Sequence, residues 1–171
     1  MIPNLNKVLL IFFVWFCLSG FLSSNEPVKS SWESFDGSDF AYSKWLPKNT
    51  IDSKVVLIGV HGFSGAASDF TNLGAYLSKQ GISLYAYELR GQGNDPDPKR
   101  VGDIASVEYW YKDLNSFITS VHKEDKDASI FLYGESLGSL IIMHSFSHLD
   151  DSFSSNIKGV IYASPLIALP G

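Results

Sequence analysis

The sequence predicts an α/β fold: a mostly parallel sheet with helices on both faces and an antiparallel hairpin at its N-terminal edge. Three observations carry this expectation. Val55-Val56-Leu57-Ile58-Gly59-Val60 is a continuous apolar run rich in β-branched residues, the pattern of a strand buried on both faces. Two further short apolar runs, Ile82–Tyr87 and Ile130–Tyr133, alternate with segments of helical spacing. Asp36-Gly37 lies between alternating apolar and polar stretches from Trp32 to Leu46, a two-residue hairpin signal.

The elements follow in order. After the hairpin, Pro47 to Lys54 reads as a loop before the strand Val55–Val60. Asp69 to Gln80 has helical spacing in Phe70, Leu73, Tyr76 and Leu77, and Gly81 is its stop. The strand Ile82–Tyr87 is broken by Arg90-Gly91-Gln92-Gly93, and Asp95-Pro96-Asp97-Pro98 demands a loop. Ser106 to His122 reads as a long helix, Ile130–Tyr133 as a strand, and a helix then runs to about His148. Lys158 to Ala163 is a last strand, with Pro165 at its exit. Active sites of such sheets sit at the carboxyl ends of the strands.

The bulk numbers bound the rest. The chain has 171 residues, 45% of them apolar and 18% charged, which suits one domain with a real core. A net charge of -5 and the lack of a Lys/Arg cluster argue against a nucleic-acid partner. The single cysteine, Cys17, precludes an intramolecular disulfide. No metal or organic cofactor is expected.

Lys7, the apolar stretch Val8–Leu18 and the following Ser19-Gly20-Phe21-Leu22-Ser23-Ser24 read as a secretory signal peptide over residues 1–24. The apolar run is short for a span, which needs about 20 residues. An uncleaved anchor, with membrane association through residues 8–22, stays open because no Ala-x-Ala site is present; so does a buried apolar arm. Residues 25–31 read as a linker and 32–171 as the folded domain. Export, or anchoring to a membrane, is the expected location.

Gly134-Glu135-Ser136-Leu137-Gly138 matches G-x-S-x-G, the nucleophile elbow. The motif needs a serine on a tight strand-to-helix turn, with glycines Gly134 and Gly138 where side chains would collide with neighbouring elements. Ser136 is the candidate catalytic nucleophile, and the N–H of Leu137, at a helix start, a candidate oxyanion donor. The pattern alone is weak; the strand before it and the apolar helix after it are the context it demands. A glycine-lined turn with an inert serine is the bland alternative.

Acyl transfer needs a second donor from the loop after an earlier strand. His61-Gly62-Phe63 follows the strand Val55–Val60. Gly62 permits close backbone approach, and the N–H of Phe63 is the candidate. The ring of His61 is expected to brace the loop rather than to act as a base.

With these turns placed, the sequence resembles the α/β-hydrolase superfamily, and within it the monoacylglycerol lipase/lysophospholipase (serine aminopeptidase S33-like) group. The matching pieces are the hairpin with Asp36-Gly37, His61-Gly62-Phe63-Ser64-Gly65, Leu89-Arg90-Gly91-Gln92-Gly93, Asp113-Leu114, the elbow, and Ala163-Ser164-Pro165. They stand in family order from about Trp32 onward. Gln92 stands where the family often has histidine, Asp95 where it often has serine, Glu135 where histidine is commoner, and Ser139 where glycine is frequent.

The resemblance places the cap region, the catalytic Asp and the catalytic His beyond Gly171. No local residue replaces them. His144 and His148 fall roughly 12 and 18 Å along the helix from Ser136 at 1.5 Å per residue, against the ~3 Å a general base needs. His122 reads as a surface residue at a helix C-terminus. Asp69, Asp95, Asp103 and Asp113 read as caps, turns or solvated helix positions. Without later strands, Val160-Ile161-Tyr162-Ala163 becomes an exposed apolar edge. The 171 residues are therefore expected to be a fragment, a disrupted product or a misplaced boundary.

The resemblance implies a serine hydrolase of carboxylic esters, acting on a small-molecule or lipid ester of acylglycerol or lysophospholipid type. A non-catalytic scaffold of the same fold and a serine peptidase are the alternatives.

Overall fold

The computed structural model describes residues 26–48, 54–148, 155 and 157–165. The readings of residues 1–24 as a leader and of residues 8–22 as a membrane contact lie outside these. Six strands form one sheet: β1 (Val28–Glu33), β2 (Asp39–Trp45), β3 (Val55–Val60), β4 (Ser83–Tyr87), β5 (Ser129–Glu135) and β6 (Ile157–Ala163). Their order across the sheet is β1-β2-β4-β3-β5-β6. β1 pairs with β2, and β2 with β4, antiparallel; the β4-β3-β5-β6 part is parallel throughout. Among the described residues, helices α1 (Thr71–Lys79), α2 (Glu108–Glu124) and α3 (Leu137–His148) lie between these strands.

Strand alternation sorts the apolar residues onto two faces. Val56, Ile58 and Val60, with Tyr85, Tyr87, Ile130 and Leu132, pack under Leu114, Phe117 and Ile118 of α2 and Ile141 and Ile142 of α3. Leu57, Leu84 and Ala86, with Phe131 and Tyr133, face the other way, against Trp45, Phe70 and the α1 residues Leu73 and Leu77. Both faces of β3, β4 and β5 are thus covered, which is why they read as unbroken apolar runs.

Several boundaries differ from the sequence expectation. Val28 to Ser31, read as linker, pair in register with Lys44 to Ala41 as part of β1. Three of the four, Lys29, Ser30 and Ser31, are polar, which suits an edge strand whose outward face meets water. The connection after β1 is the five-residue loop Ser34–Ser38 rather than a two-residue turn, since Glu33 pairs with Asp39. The Asp36 carboxylate is drawn away to accept from Arg90 at 2.8 and 3.1 Å, and Phe35 packs edge-on to Tyr109. The first turn of the helix expected from Asp69 is a 3₁₀ turn, Ala67–Phe70. Tyr76 faces solvent, whereas Leu73 and Leu77 face the core. α1 ends on Gly81 at φ +82°, with Ile82 N–H donating to Leu77 O and Gly81 N–H to Ser78 O, a Schellman closure.

Asp113 is the largest correction. Read as a solvated helix position, it is 1% exposed and accepts from Arg90 Nε and Nη2 at 2.8 Å each and from Ser34 Oγ. Arg90 therefore ties the β1–β2 loop to α2, with Phe40 against its guanidinium. His122 is half-buried, not a surface residue, because α2 continues to Glu124 and turns that position inward.

Candidate active site

Ser136 lies between β5 and α3 with φ +50°, a left-handed backbone that a β-substituted residue adopts only when its surroundings enforce it. The enforcement is visible on each side. Ser136 N–H donates to Ala163 O at 3.0 Å, which fastens the turn to β6. A Cβ on Gly134 would come within 2.6 Å of Ser139 N, and one on Gly138 within 2.0 Å of Val60 O. The turn closes only with glycine at both positions.

The turn after β3 stands directly opposite. The Cβ direction of Gly62 is 3.4 Å from Ser136 Cβ, so a side chain there would press on the serine. The N–H groups of Phe63 and Leu137 make no hydrogen bond among the described residues. The neighbouring donors are used: Gly65 N–H reaches Gly62 O at 3.1 Å and Ser64 N–H reaches Gln92 Oε1 at 2.8 Å. Ser64 itself is at φ +58°. The aromatic ring of Phe63 projects outward, 70% exposed.

His61 is fully buried and braces this turn. Leu89 N–H donates to its Nε2 at 3.1 Å, which leaves Nδ1–H to donate to Gly62 O at 2.9 Å. Burial lowers its pKa, outweighing the Gly62 carbonyl and the Glu88 carboxylate, which favour the cation. The ring is held neutral, with both nitrogens committed to backbone groups.

The loop after β4 supplies the second wall. Asp95 is buried and accepts from Gly91 N–H and Asp97 N–H at 2.7 Å each, and from Arg100 Nη2 at 2.8 Å. Burial raises its pKa, but Arg100 and the two N–H groups more than offset this, so the net shift is downward. Asp69 accepts from Ala66 N–H and Asp103 from Ile104 N–H, as caps and turns do.

The other histidines point elsewhere. His144 stacks on Tyr111 at a ring separation of 6.2 Å, and His148 lies tilted against the same ring at 5.1 Å. Ser136 Oγ makes no hydrogen bond among the described residues.

Two residues at the site gave little signal in the sequence. Ser139 is fully buried, its hydroxyl donating to Gly134 O at 2.6 Å with Ala163 O at 3.3 Å. Gln92 was noticeable only as a departure from a familial histidine. Among the described residues no His/Cys/Asp/Glu group could hold a metal ion, and no helix is long and apolar enough to cross a membrane.

Comparison with known proteins agrees with this geometry. The family model described as serine aminopeptidase, S33, matches residues 51–171. Monoglyceride lipase of Rattus norvegicus is 24% identical over 132 residues, 77% of this chain and 41% of the relative. A soluble variant of monoglyceride lipase from Saccharomyces cerevisiae, solved with a substrate analog, superposes with a TM-score of 0.74 at 24% identity, covering 86% of this chain and 48% of that one. A carboxyl esterase from Bacillus coagulans superposes with a TM-score of 0.68 at 18% identity, covering 80% and 44%. The chain thus spans less than half the length of these proteins. Its sheet order, its elbow and the family match over 51–171 together place it in the serine aminopeptidase S33 family of α/β-hydrolases.

Proposed function

We propose that this chain is the nucleophile-bearing part of a serine hydrolase of carboxylic esters, with acylglycerol- or lysophospholipid-like substrates. The observation that carries the reading is the left-handed Ser136 at the β5–α3 turn, 3.4 Å from the Cβ direction of Gly62, with two unbonded N–H groups beside it. The monoglyceride lipase and carboxyl esterase relatives support the ester class.

In this proposal Ser136 Oγ attacks the ester carbonyl carbon as a histidine takes its proton. The N–H groups of Phe63 and Leu137 hold the oxyanion of the tetrahedral intermediate. Collapse expels the alcohol, which receives the proton from the histidine, and water then releases the acid from Ser136. The histidine and its aspartate come from sequence following Gly171. No metal or organic cofactor takes part.

Labelling by a fluorophosphonate probe tests the reading on the full-length protein. Labelling that disappears in Ser136→Ala supports it. A folded protein that never labels supports instead a non-catalytic scaffold. Turnover of N-terminal peptide amides but not esters would favour the peptidase that the family's name describes. Export remains part of the proposal, supported by the Lys7 and Val8–Leu18 pattern; N-terminal sequencing of the mature chain tests it.

A further inference from the structure

A pocket of about 170 Å³ opens beside the candidate oxyanion turn, lined by Phe63, Gly91, Gln92, Gly102, Asp103, Ile104 and Trp110. Gln92 is the informative member of its wall. The side chain is only 6% exposed, and its Oε1 is fixed by the Ser64 N–H at 2.8 Å. A backbone N–H can donate only to the amide oxygen, so the two ends of the amide are assigned: the oxygen faces the oxyanion turn and the nitrogen faces away from it. That Nε2 makes no hydrogen bond among the described residues. Nor is it among the polar atoms sealed from solvent without a partner, so it keeps an opening through which another group can reach it. One that is clamped at one end and unbonded at the other, in a pocket wall, has a donor to offer a ligand.

We propose that Gln92 is a specificity residue for the alcohol part of the ester: its Nε2–H donates to a hydroxyl oxygen of a small polyol leaving group seated in this pocket. This deepens the ester-hydrolase reading and rests on it. The space admits a three-carbon polyol, and an amide donor suits the hydroxylated alcohol part of an ester rather than a hydrocarbon acyl chain. Its apolar walls, Phe63, Ile104 and Trp110, suit the carbon skeleton. The position also fits: the pocket shares Phe63 with the turn that faces Ser136 and so borders the candidate oxyanion donors.

The rigidity of the donor is part of the inference. The pocket-side loop is anchored independently of any ligand, through Asp95 to Gly91 N–H and through Trp110 Nε1–H to Arg90 O at 2.8 Å. A ligand hydroxyl therefore meets a donor whose orientation is already set, and the discrimination comes from leaving that donor unpaired when the hydroxyl is absent.

The test uses the full-length protein and two esters with the same acyl chain and a three-carbon alcohol, glyceryl monobutyrate and propyl butyrate. The wild type is expected to favour the glyceryl ester in kcat/KM roughly fivefold or more. Gln92→Met removes the donor, adds no charge and offers the hydroxyl no strong acceptor, and is expected to bring that ratio close to one. Gln92→Leu is expected to do the same and serves if Gln92→Met fails to fold. A ratio of one in the wild type, or an unchanged ratio in a folded variant, overturns the role of Gln92 while leaving the hydrolase intact. Hydrolysis of neither ester, with no fluorophosphonate label on Ser136, overturns both readings together.

Discussion

The backbone of Gly138 lies against the carbonyl of Val60, so near that a Cβ would be 2.0 Å from that oxygen. The contact joins the first turn of α3 to the end of β3, and backbone cannot give way as a flexible side chain can. Gly138→Ala is therefore expected to destabilise the fold by about 2–3 kcal/mol through overpacking. It is also expected to lower fluorophosphonate labelling of Ser136 more than tenfold, because α3 must shift to admit the methyl. Chemical denaturation and a labelling time course check the two effects separately.

Arg90 holds two carboxylates, Asp113 and Asp36, that would otherwise lie unpaired in and near the core. Arg90→Met is expected to cost about 3–5 kcal/mol, since Asp113 is left as an uncompensated buried charge. Arg90→Lys is expected to recover less than half of that, because an ammonium cannot serve both carboxylates with a planar fork. Denaturant midpoints of the two variants decide it.

Acid should loosen the loops that build the site. Burial pushes the Asp36 carboxyl up, but the Arg90 hydrogen bonds and charge win and hold it at about 2; Asp95 is likewise held below its ordinary value. A carboxylate depressed in the fold contributes stability that is present above its unfolded pKa and lost as pH falls through the folded one. Melting temperature is thus expected to fall between about pH 4 and pH 2, and Asp36→Asn to flatten that fall.

His61 acts earlier on the same axis. Its folded pKa lies below 6.5, so the unfolded chain binds the extra proton first and stability declines as pH drops below that value. His61→Gln, which keeps a donor and an acceptor, is expected to remove this step from the pH profile of the melting temperature. It is also expected to slow Ser136 labelling several-fold, since the brace on Gly62 is lost.

The outer edge of β6 has no partner strand among the described residues, and Ile161 is 50% exposed beside Tyr162. The 171-residue chain on its own is expected to self-associate through this edge. Ile161→Lys should shift it toward monomer in size-exclusion chromatography. A monodisperse unmodified chain would overturn the expectation.

The strands β3 to β6 and the helices between them were legible because each buries an apolar stripe whose period shows in the residues themselves. So was the Gly-flanked turn around Ser136, since close backbone approach leaves no choice of residue. Asp113 was misread because an ion pair with Arg90, 23 positions away, has no local signature. Gln92 and Ser139 stood out only as unusual residues. What they do depends on which carbonyl or N–H the fold brings opposite them. Val28–Ser31 escaped for a different reason: an edge strand is paired on one side and wet on the other, and its composition resembles that of a linker.

Ser136 takes its backbone bond, and Ser139 part of its hydroxyl contact, from the carbonyl of Ala163 at the end of β6. The backbone strain at Ser136 is therefore set from outside its own turn, by the alignment of the neighbouring strand. A slip of β6 by a single position would offer the turn the opposite side of the peptide ladder, and the serine would relax away from the sheet edge. The seating of β6 thus acts as a ruler for the turn, and the left-handed backbone of Ser136 becomes a measure of whether that strand is in place.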